Sequence, residues 1–262
     1  MKKHFKLIAL VSVLITCFLP PVNSQSSSEE VDLPKHIDRK YRRDAARLAL
    51  RLEGQLDDYR YLGAEIPPSN VEMIYNALKN IYEKDKTARS LTECNIHTFP
   101  DPAIEQLVVV FDKNQTWAKT IRQRTGDDNN QAVHNILQKY NLAIKKQYQW
   151  NAEQEAITIR SRKPLNMASV ANEFYNIDGI AEIDLGIPDV KGNDISVERT
   201  SEGWEFQFEL LFGNYLTGDG QSHRWKYLVT DKQEVKFLME EGDLVPDWMR
   251  CLLQPSPIMA SF

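Results

Sequence analysis

The residues that decide the fold run from Leu107 to Pro188 and read LVVVFDKNQTWAKTIRQRTGDDNNQAVHNILQKYNLAIKKQYQWNAEQEAITIRSRKPLNMASVANEFYNIDGIAEIDLGIP. Residues 107–111 are an uninterrupted apolar run, which predicts a strand that is buried on both faces. Elsewhere in the stretch apolar and polar residues alternate, as expected for strands with one buried face. These alternating positions are Leu142, Ile144, Tyr148 and Trp150, then Ile157 and Ile159, then Ile183, Leu185 and Ile187.

Two helices are predicted between these strands. The first covers residues 131–140, and the second opens at Pro164 and Asn166 and is closed by Gly179. Their inward positions follow helical spacing: Val133, Ile136, Leu137 and Tyr140 in the first, and Met167, Val170, Ala171 and Phe174 in the second. The order strand, helix, strand, strand, helix, strand is that of the ferredoxin-like split βαβ unit. The sequence therefore predicts an α+β protein with a ferredoxin-like core over residues 104–190.

A helical hairpin is predicted ahead of this core, over residues 38–103. Apolar residues from about Asp38 to Tyr59 form one helical stripe, and the arginines and aspartates between them are expected to be solvated. Ser69 and Glu72 form a capping-box pattern that predicts the start of a second helix. Residues 91–101 are predicted to be a loop. Because the two core helices would cover one face of the ferredoxin-like sheet, we expect the hairpin to cover the other face.

The last third of the chain, residues 191–262, predicts an antiparallel β-meander. Its alternation is strict, with turns expected at Gly218-Asp219-Gly220 and at Asp231-Lys232. The aromatic side of this sheet is interpreted as core, because alternation of this kind is typical of a buried sheet face. The alternating apolar positions are Trp204, Phe206, Phe208, Leu210 and Phe212, then Trp225, Tyr227 and Val229, then Val235, Phe237 and Met239, and Ile195 and Val197 are an optional fourth strand in front.

The first residues of the chain carry an export signal. Residues 1–24 combine three early lysines, an apolar run from Leu7 to Leu19 and small or aliphatic residues before Gln25, which predicts a cleaved signal peptide. A lipid anchor on Cys17 is the alternative. Residues 25–37 are polar and are predicted to be a disordered leader. The expected location is the periplasm or the extracellular space.

Charge and cysteine content limit the function classes. The whole chain has a net charge of −5, and without residues 1–24 it has 29 basic and 37 acidic residues. An acidic chain argues against nucleic-acid partners and anionic membrane surfaces. Cys94 and Cys251 would remain after cleavage, and they are either a disulfide that closes a long loop or two buried thiols.

No catalytic or metal-binding motif is evident. His36, His97, His134 and His223 lie far apart in the sequence, so no zinc-like spacing results. His97 with Asp101 and Cys94 is the densest group of reactive residues, although a disulfide or a buried thiol explains Cys94 more simply. The acidic turns at Asp127-Asp128 and Gly218-Asp219-Gly220 lack calcium-loop spacing. Asn114-Gln115-Thr116 is a glycosylation sequon. We therefore expect no cofactor, no metal and no catalytic residue.

Residues 135–188 resemble the N-terminal prodomains of subtilisin-type proteases. The similarity lies in the helix end KYNL at residues 139–142, the helix from Leu165 to Tyr175, and a last strand that runs from Gly179-Ile180 to Pro188. The resemblance implies a ferredoxin-like unit, which in that family assists the folding of a following protease and inhibits it. Neither the histidine nor the serine signature of the protease follows here, so the resemblance implies the fold alone.

The whole chain also resembles secreted, functionally uncharacterised proteins of Bacteroidetes type, with Gln25 placed to become an N-terminal pyroglutamate. This second resemblance implies a bacterial origin and brings no activity with it.

The functional expectation is an exported, non-catalytic module that binds a protein or peptide, because the open edges of a split βαβ sheet can accept an added strand. A carboxylate-dependent hydrolase and a structural envelope component are the alternatives.

Overall fold

A computed structural model describes residues 33–54, 58–115, 117–118, 131–214 and 218–247. Over these residues the chain is α+β, with five α-helices and two antiparallel four-stranded sheets. The α+β prediction is therefore confirmed. The predicted signal peptide, Cys17, most of the predicted leader, the Asp127-Asp128 turn and Cys251 lie outside the described residues. No helix in the described ranges is long and apolar enough to cross a membrane.

Along the chain, three helices come first, then the first sheet with its two helices, then the meander. The elements are α1 (Lys35–Glu53), α2 (Pro68–Lys84), α3 (Lys86–Glu93), β1 (Gln106–Asp112), α4 (Gln131–Lys139), β2 (Leu142–Gln149), β3 (Gln154–Ser161), α5 (Met167–Phe174), β4 (Ile180–Asp184), β5 (Asp194–Arg199), β6 (Gly203–Asn214), β7 (Asp219–Thr230) and β8 (Val235–Gly242). A single 3₁₀ turn, Tyr59–Tyr61, lies between α1 and α2.

The first sheet has the strand order β2-β3-β1-β4, with every neighbouring pair antiparallel. Strand β3 therefore lies between β1 and β2 of the unit β1-α4-β2, and β1 lies between β3 and β4 of the unit β3-α5-β4. The two helices α4 and α5 cover one face and bury Leu107, Val109 and Phe111 of β1 with Phe174 of α5. The predicted order of strands and helices is confirmed for the described residues. The ferredoxin-like assignment stays a prediction, because residues 119–130 between β1 and α4 lie outside them.

The helical hairpin covers the second sheet, so the prediction that it would cover the first sheet is wrong. The second sheet has the order β5-β6-β7-β8. Its aromatic side shares one core with the stripes of α1 and α2, in which Tyr41, Leu48, Ile74, Leu78 and Ile81 pack with Phe206, Phe208, Leu210 and Tyr227. The large apolar face of the meander offers more area to bury than the free face of the first sheet does, because Lys146, Thr158 and Glu182 interrupt that face.

Three helix boundaries differ from the prediction. Helix α1 begins at Lys35, inside the predicted leader, and ends at Glu53 because Gly54 is a poor helix former. Pro68 is already the first residue of α2, so Ser69 lies within the first turn and forms no capping box. Residues 86–93, of which the last three were assigned to the loop 91–101, form the helix α3, whose N-cap Asp85 accepts a hydrogen bond from the backbone N–H of Ala88 at 2.8 Å.

Asn166 joins the two cores. Its side chain is fully buried, and its Nδ2 donates to the carbonyl oxygens of Tyr59 at 2.7 Å and Gly63 at 3.2 Å. Its Oδ1 also caps α5 by accepting from the N–H of Ser169. The described residues consequently belong to one compact unit.

Candidate anion-binding cleft

Helix α1 carries an arginine every fourth residue, at Arg39, Arg43, Arg47 and Arg51. Residues four apart lie above one another on a helix, so these four side chains form one row. The row was expected to be solvated. Arg43, Arg47 and Arg51 are instead partly buried against the segment 97–105 that leads into β1. That expectation is therefore wrong for three of the four.

Arg51 fixes three parts of the fold to one another. Its Nε donates to the carbonyl oxygen of Asp101 at 2.8 Å, and its Nη2 donates to that of Phe99 at 3.0 Å. Its Nη1 binds the carboxylate of Asp194, the first residue of β5, at 3.0 and 3.1 Å. The same carboxylate accepts from the N–H of Phe99 at 2.7 Å. Since its donors are used in this way, Arg51 has a structural role.

His97, which lies near Cys94 and Asp101 in the sequence, pairs with Asp44 of α1. Asp44 is 2% exposed, and its carboxylate lies 2.7 Å from His97 Nδ1 and accepts from both the N–H and the hydroxyl of Thr98. Asn95 adopts a left-handed backbone conformation (φ 64°) after α3 and turns the chain toward α1. The Nε2 of His97 is buried without a hydrogen-bond partner among the described residues.

A basic cleft of about 460 Å³ opens beside the N-terminal half of α1. Three segments supply its cations: the first turns of α1, strand β2, and the end of β3 with the residues that follow. The lining residues are Arg39, Arg42, Arg43, Glu105, Ala143, Lys145, Arg160, Ser161, Arg162 and Pro164. Six cations and one carboxylate thus line the cleft of a chain that is acidic as a whole.

Half of these cations are already paired. Glu105 accepts from Arg43 Nε at 2.7 Å and from Arg160 Nη2 at 3.1 Å. Arg42 pairs with Asp38 outside the cleft. The remaining three, Arg39, Lys145 and Arg162, are exposed and have no ion pair within the described part of the chain.

The Arg42 side of the cleft is held in place by Tyr75. The Arg42 guanidinium lies 4.2 Å from the centre of the Tyr75 ring, and the Tyr75 hydroxyl donates to Asp38 at 2.6 Å. This hydrogen bond is the main reason why the pKa of Asp38 lies below its usual range. Burial, helped by the same bond, raises the pKa of Tyr75 to about 12. Asp38 is therefore a carboxylate at neutral pH, and it pairs with Arg42 and does not line the cleft.

The uncompensated charges create a positive potential at the cleft. Three unpaired cations around one cleft attract an anion in spite of a negative total charge, because nearby charges dominate within a Debye length of about 10 Å. The arrangement is suited to bind carboxylates or other oxyanions.

Strand β2, which borders the cleft, is an edge strand of the first sheet. A register shift between Ile144 and Lys146 makes Lys145 an extra residue relative to β3. Such a bulge redirects a side chain, and Lys145 lines the cleft. An edge strand also presents unpaired backbone N–H and C=O groups. Hydrogen-bonding backbone and free cations therefore lie next to each other.

The predicted disulfide stays a prediction. Cys94 is the half-buried C-cap residue of α3, whereas Cys251 lies outside the described residues. In the sequon, Asn114 is exposed after β1, and Thr116 is not described. In the described ranges no group of three histidine, cysteine or carboxylate side chains is placed to hold a metal ion.

The other three histidines in the described ranges lie on three different elements, α1, α4 and β7. His36 and His134 are exposed on α1 and α4. His223 of β7 is buried, with Nδ1 2.6 Å from the carbonyl oxygen of Asp243 and Nε2 3.0 Å from a carboxylate oxygen of Glu240.

A second cleft, of about 720 Å³, lies between the ends of α1 and α2 and strands β5 and β6. It carries Glu53, Glu198 and Glu205, and Glu205 pairs with Lys226 at 3.1 Å. The alternative of a carboxylate-dependent hydrolase stays a prediction.

The fold and the cleft together define an α+β protein in which helices cover two antiparallel sheets and a basic cleft borders an open strand. Comparisons with models of protein families, with curated proteins and with solved structures gave no match.

Proposed function

We propose that this chain is an exported, non-catalytic binding module whose ligand is an extended acidic segment of a protein or peptide. The observation that carries the proposal is the position of the edge strand β2 beside a cleft lined by six cations and one carboxylate. An added strand would take its backbone hydrogen bonds from β2. Its carboxylates would reach Arg39, Lys145 and Arg162, which lack ion pairs among the described residues.

An extended segment fits this site better than a compact anion. The three unpaired cations come from α1, from β2 and from the residues after β3, so they surround the cleft instead of converging on one point. In an extended chain every second side chain points to the same side. A segment with a carboxylate at every second position could therefore meet several of these cations while its backbone pairs with β2.

The test is fluorescence anisotropy with a labelled eight-residue peptide of alternating glutamate and valine. The purified chain should bind this peptide, and the affinity should fall as salt is added. The same peptide with lysine in place of glutamate should not bind. A peptide with N-methylated backbone groups tests the strand addition, because it keeps the charge and loses the hydrogen bonds.

Two triple variants distinguish the contribution of the cleft residues to binding from the effect of a changed net charge. Substituting serine for Arg39, Lys145 and Arg162 should weaken binding at least about tenfold, or about 1.4 kcal/mol. The matched control substitutes serine for the exposed Lys86, Lys191 and Lys232, which changes the net charge equally and leaves the cleft intact. Equal losses of peptide affinity in both variants would contradict the proposal that the peptide binds in the cleft. Equal binding of the N-methylated peptide would contradict the strand addition, and binding of inorganic polyphosphate but not of the peptide would contradict a peptide ligand.

A further inference from the structure

Strand β8 is an edge strand at the end of the second sheet. No strand in the described ranges pairs with its outer side. Three consecutive apolar side chains lie in its middle, with Phe237 49%, Leu238 44% and Met239 38% exposed. Long edges with exposed apolar residues readily pair with another strand. The edge is therefore suited to a partner strand.

A bulge in β8 decides which of its side chains share a face. Tyr227 pairs with Phe237 and Lys226 with Met239, so Leu238 is an extra residue. Before the bulge, Lys236 lies opposite Leu228, on the side of the sheet away from the helices. After it, Glu241 lies opposite Arg224 on that same side, because Arg224, Lys226 and Leu228 alternate along β7.

We propose that β8 pairs antiparallel with β8 of a second copy of this chain, forming an eight-stranded sheet across a twofold axis. In this register Lys236 faces Glu241 of the other copy, Phe237 faces Glu240, and Leu238 faces Met239. Because of the bulge, Lys236 and Glu241 lie on the side of the sheet away from the helices, and Phe237 and Glu240 lie on the opposite side. Each of these two pairs therefore joins residues of one side. A twofold axis makes each pair occur twice.

Charge complementarity favours a second copy as the partner. Lys236 and Glu241 have no ion pair among the described residues, and both are exposed. Antiparallel self-pairing brings the basic start of β8 next to its acidic end, which gives two opposite-charge pairs around an apolar centre. A contact limited to one pair of edge strands belongs to the small interfaces below about 1,200 Å², which are typically weak and transient. The inference does not rest on the proposed peptide site at β2.

The test is sedimentation-velocity ultracentrifugation of the purified chain between about 1 and 200 µM. The parent chain should pass from monomer to dimer in this range. Lys236→Glu alone and Glu241→Lys alone should each stay monomeric, because each places like charges opposite one another twice. An equimolar mixture of the two variants should form a heterodimer, since both cross-strand pairs become attractive again.

Lys232→Glu is the matched control, because it makes the same charge change in the turn before β8 and should leave the dimer intact. Circular dichroism checks that each variant is folded. A monomeric parent chain, or a mixture of the two variants that does not associate, would overturn the inference. A parent chain that dimerises only after residues 248–262 are removed would also overturn it, because those residues would then be the occupant of the edge.

Discussion

The Arg51 contacts give the sharpest prediction about stability. Replacing Arg51 by methionine keeps most of the apolar stem and removes the guanidinium that joins α1, the segment 97–105 and β5. The carbonyl oxygens of Asp101, Phe99 and Ile195 would lose a charged donor, and Asp194 would lose its counter-ion. The substitution should therefore loosen the contact between the helical hairpin and the meander.

The magnitude follows from the burial of the pair. Breaking a fully buried ion pair costs about 3–5 kcal/mol. The side chains of Arg51 and Asp194 are 21% and 28% exposed, so water can partly replace the lost donor. Asp194 also keeps the backbone N–H groups of Phe99 and Ile195. We expect the free energy of unfolding to fall by about 2–4 kcal/mol.

Urea unfolding followed by circular dichroism measures this change, with the m-value as a check that the unfolding transition is of the same kind. Arg199→Met is the control, because Arg199 forms a similar two-bonded pair with Asp231 that is exposed to solvent. Its effect should be too small to resolve. A loss below about 1 kcal/mol for Arg51→Met would refute the structural role of Arg51.

Three further predictions concern the two cores and the acid side of the stability curve. Phe174→Ala should lower the free energy of unfolding by about 3–5 kcal/mol, because the ring is fully buried under the first sheet; a urea titration showing less than about 1 kcal/mol would contradict this packing. Asp44→Ala should cost about 2–4 kcal/mol by the same assay, since it leaves the buried donors of Thr98 without an acceptor, and Asp58→Ala, at an exposed cap, is its control. Asp38 has a lowered pKa in the folded chain, so its contribution is complete above the unfolded pKa of about 3.9 and is lost as the pH falls further. The stability difference between the parent and Tyr75→Phe should accordingly be largest near pH 7 and shrink below about pH 4, and a constant difference would contradict the role of this hydrogen bond.

Periodicity predicted most of the elements and their buried faces. The alternation of Phe206, Phe208 and Leu210 placed these side chains in the core, where the structure has them. Asn166 was expected to open α5 and is its N-cap. These predictions hold because each depends on the geometry of one element, which the neighbouring residues determine.

The predicted helix boundaries were wrong where two neighbouring sequence signals favoured different boundaries. Ser69 and Glu72 had the pattern of a capping box, which places the first helical residue at Asn70, but Pro68, which suits the first helical position, started α2 two residues earlier. Leu91 belongs to α3 and not to the predicted loop, since the capping side chain of Asp85 begins a helix there.

The cleft was only partly visible in the sequence. The four-residue spacing of Arg39, Arg43, Arg47 and Arg51 and the basic run at residues 160–163 can both be read from the chain. Their meeting cannot be read from it, because the two groups are more than a hundred residues apart. The sequence also did not indicate that Arg47 and Arg51 donate hydrogen bonds to the segment 97–105 while Arg39 has no ion pair among the described residues.

The sequence by itself determined the order of helices and strands and the apolar side of each, because these follow from periods of 3.6 and 2 residues. Only the tertiary structure decided that the helical hairpin covers the meander, and that α1 brings its arginines beside the edge of β2. The physical reason is that burial depends on the area and shape of two whole surfaces, which no local pattern contains. The amphipathic stripe of α1 specified that the helix needs an apolar partner, and the larger aromatic face of the second sheet became that partner.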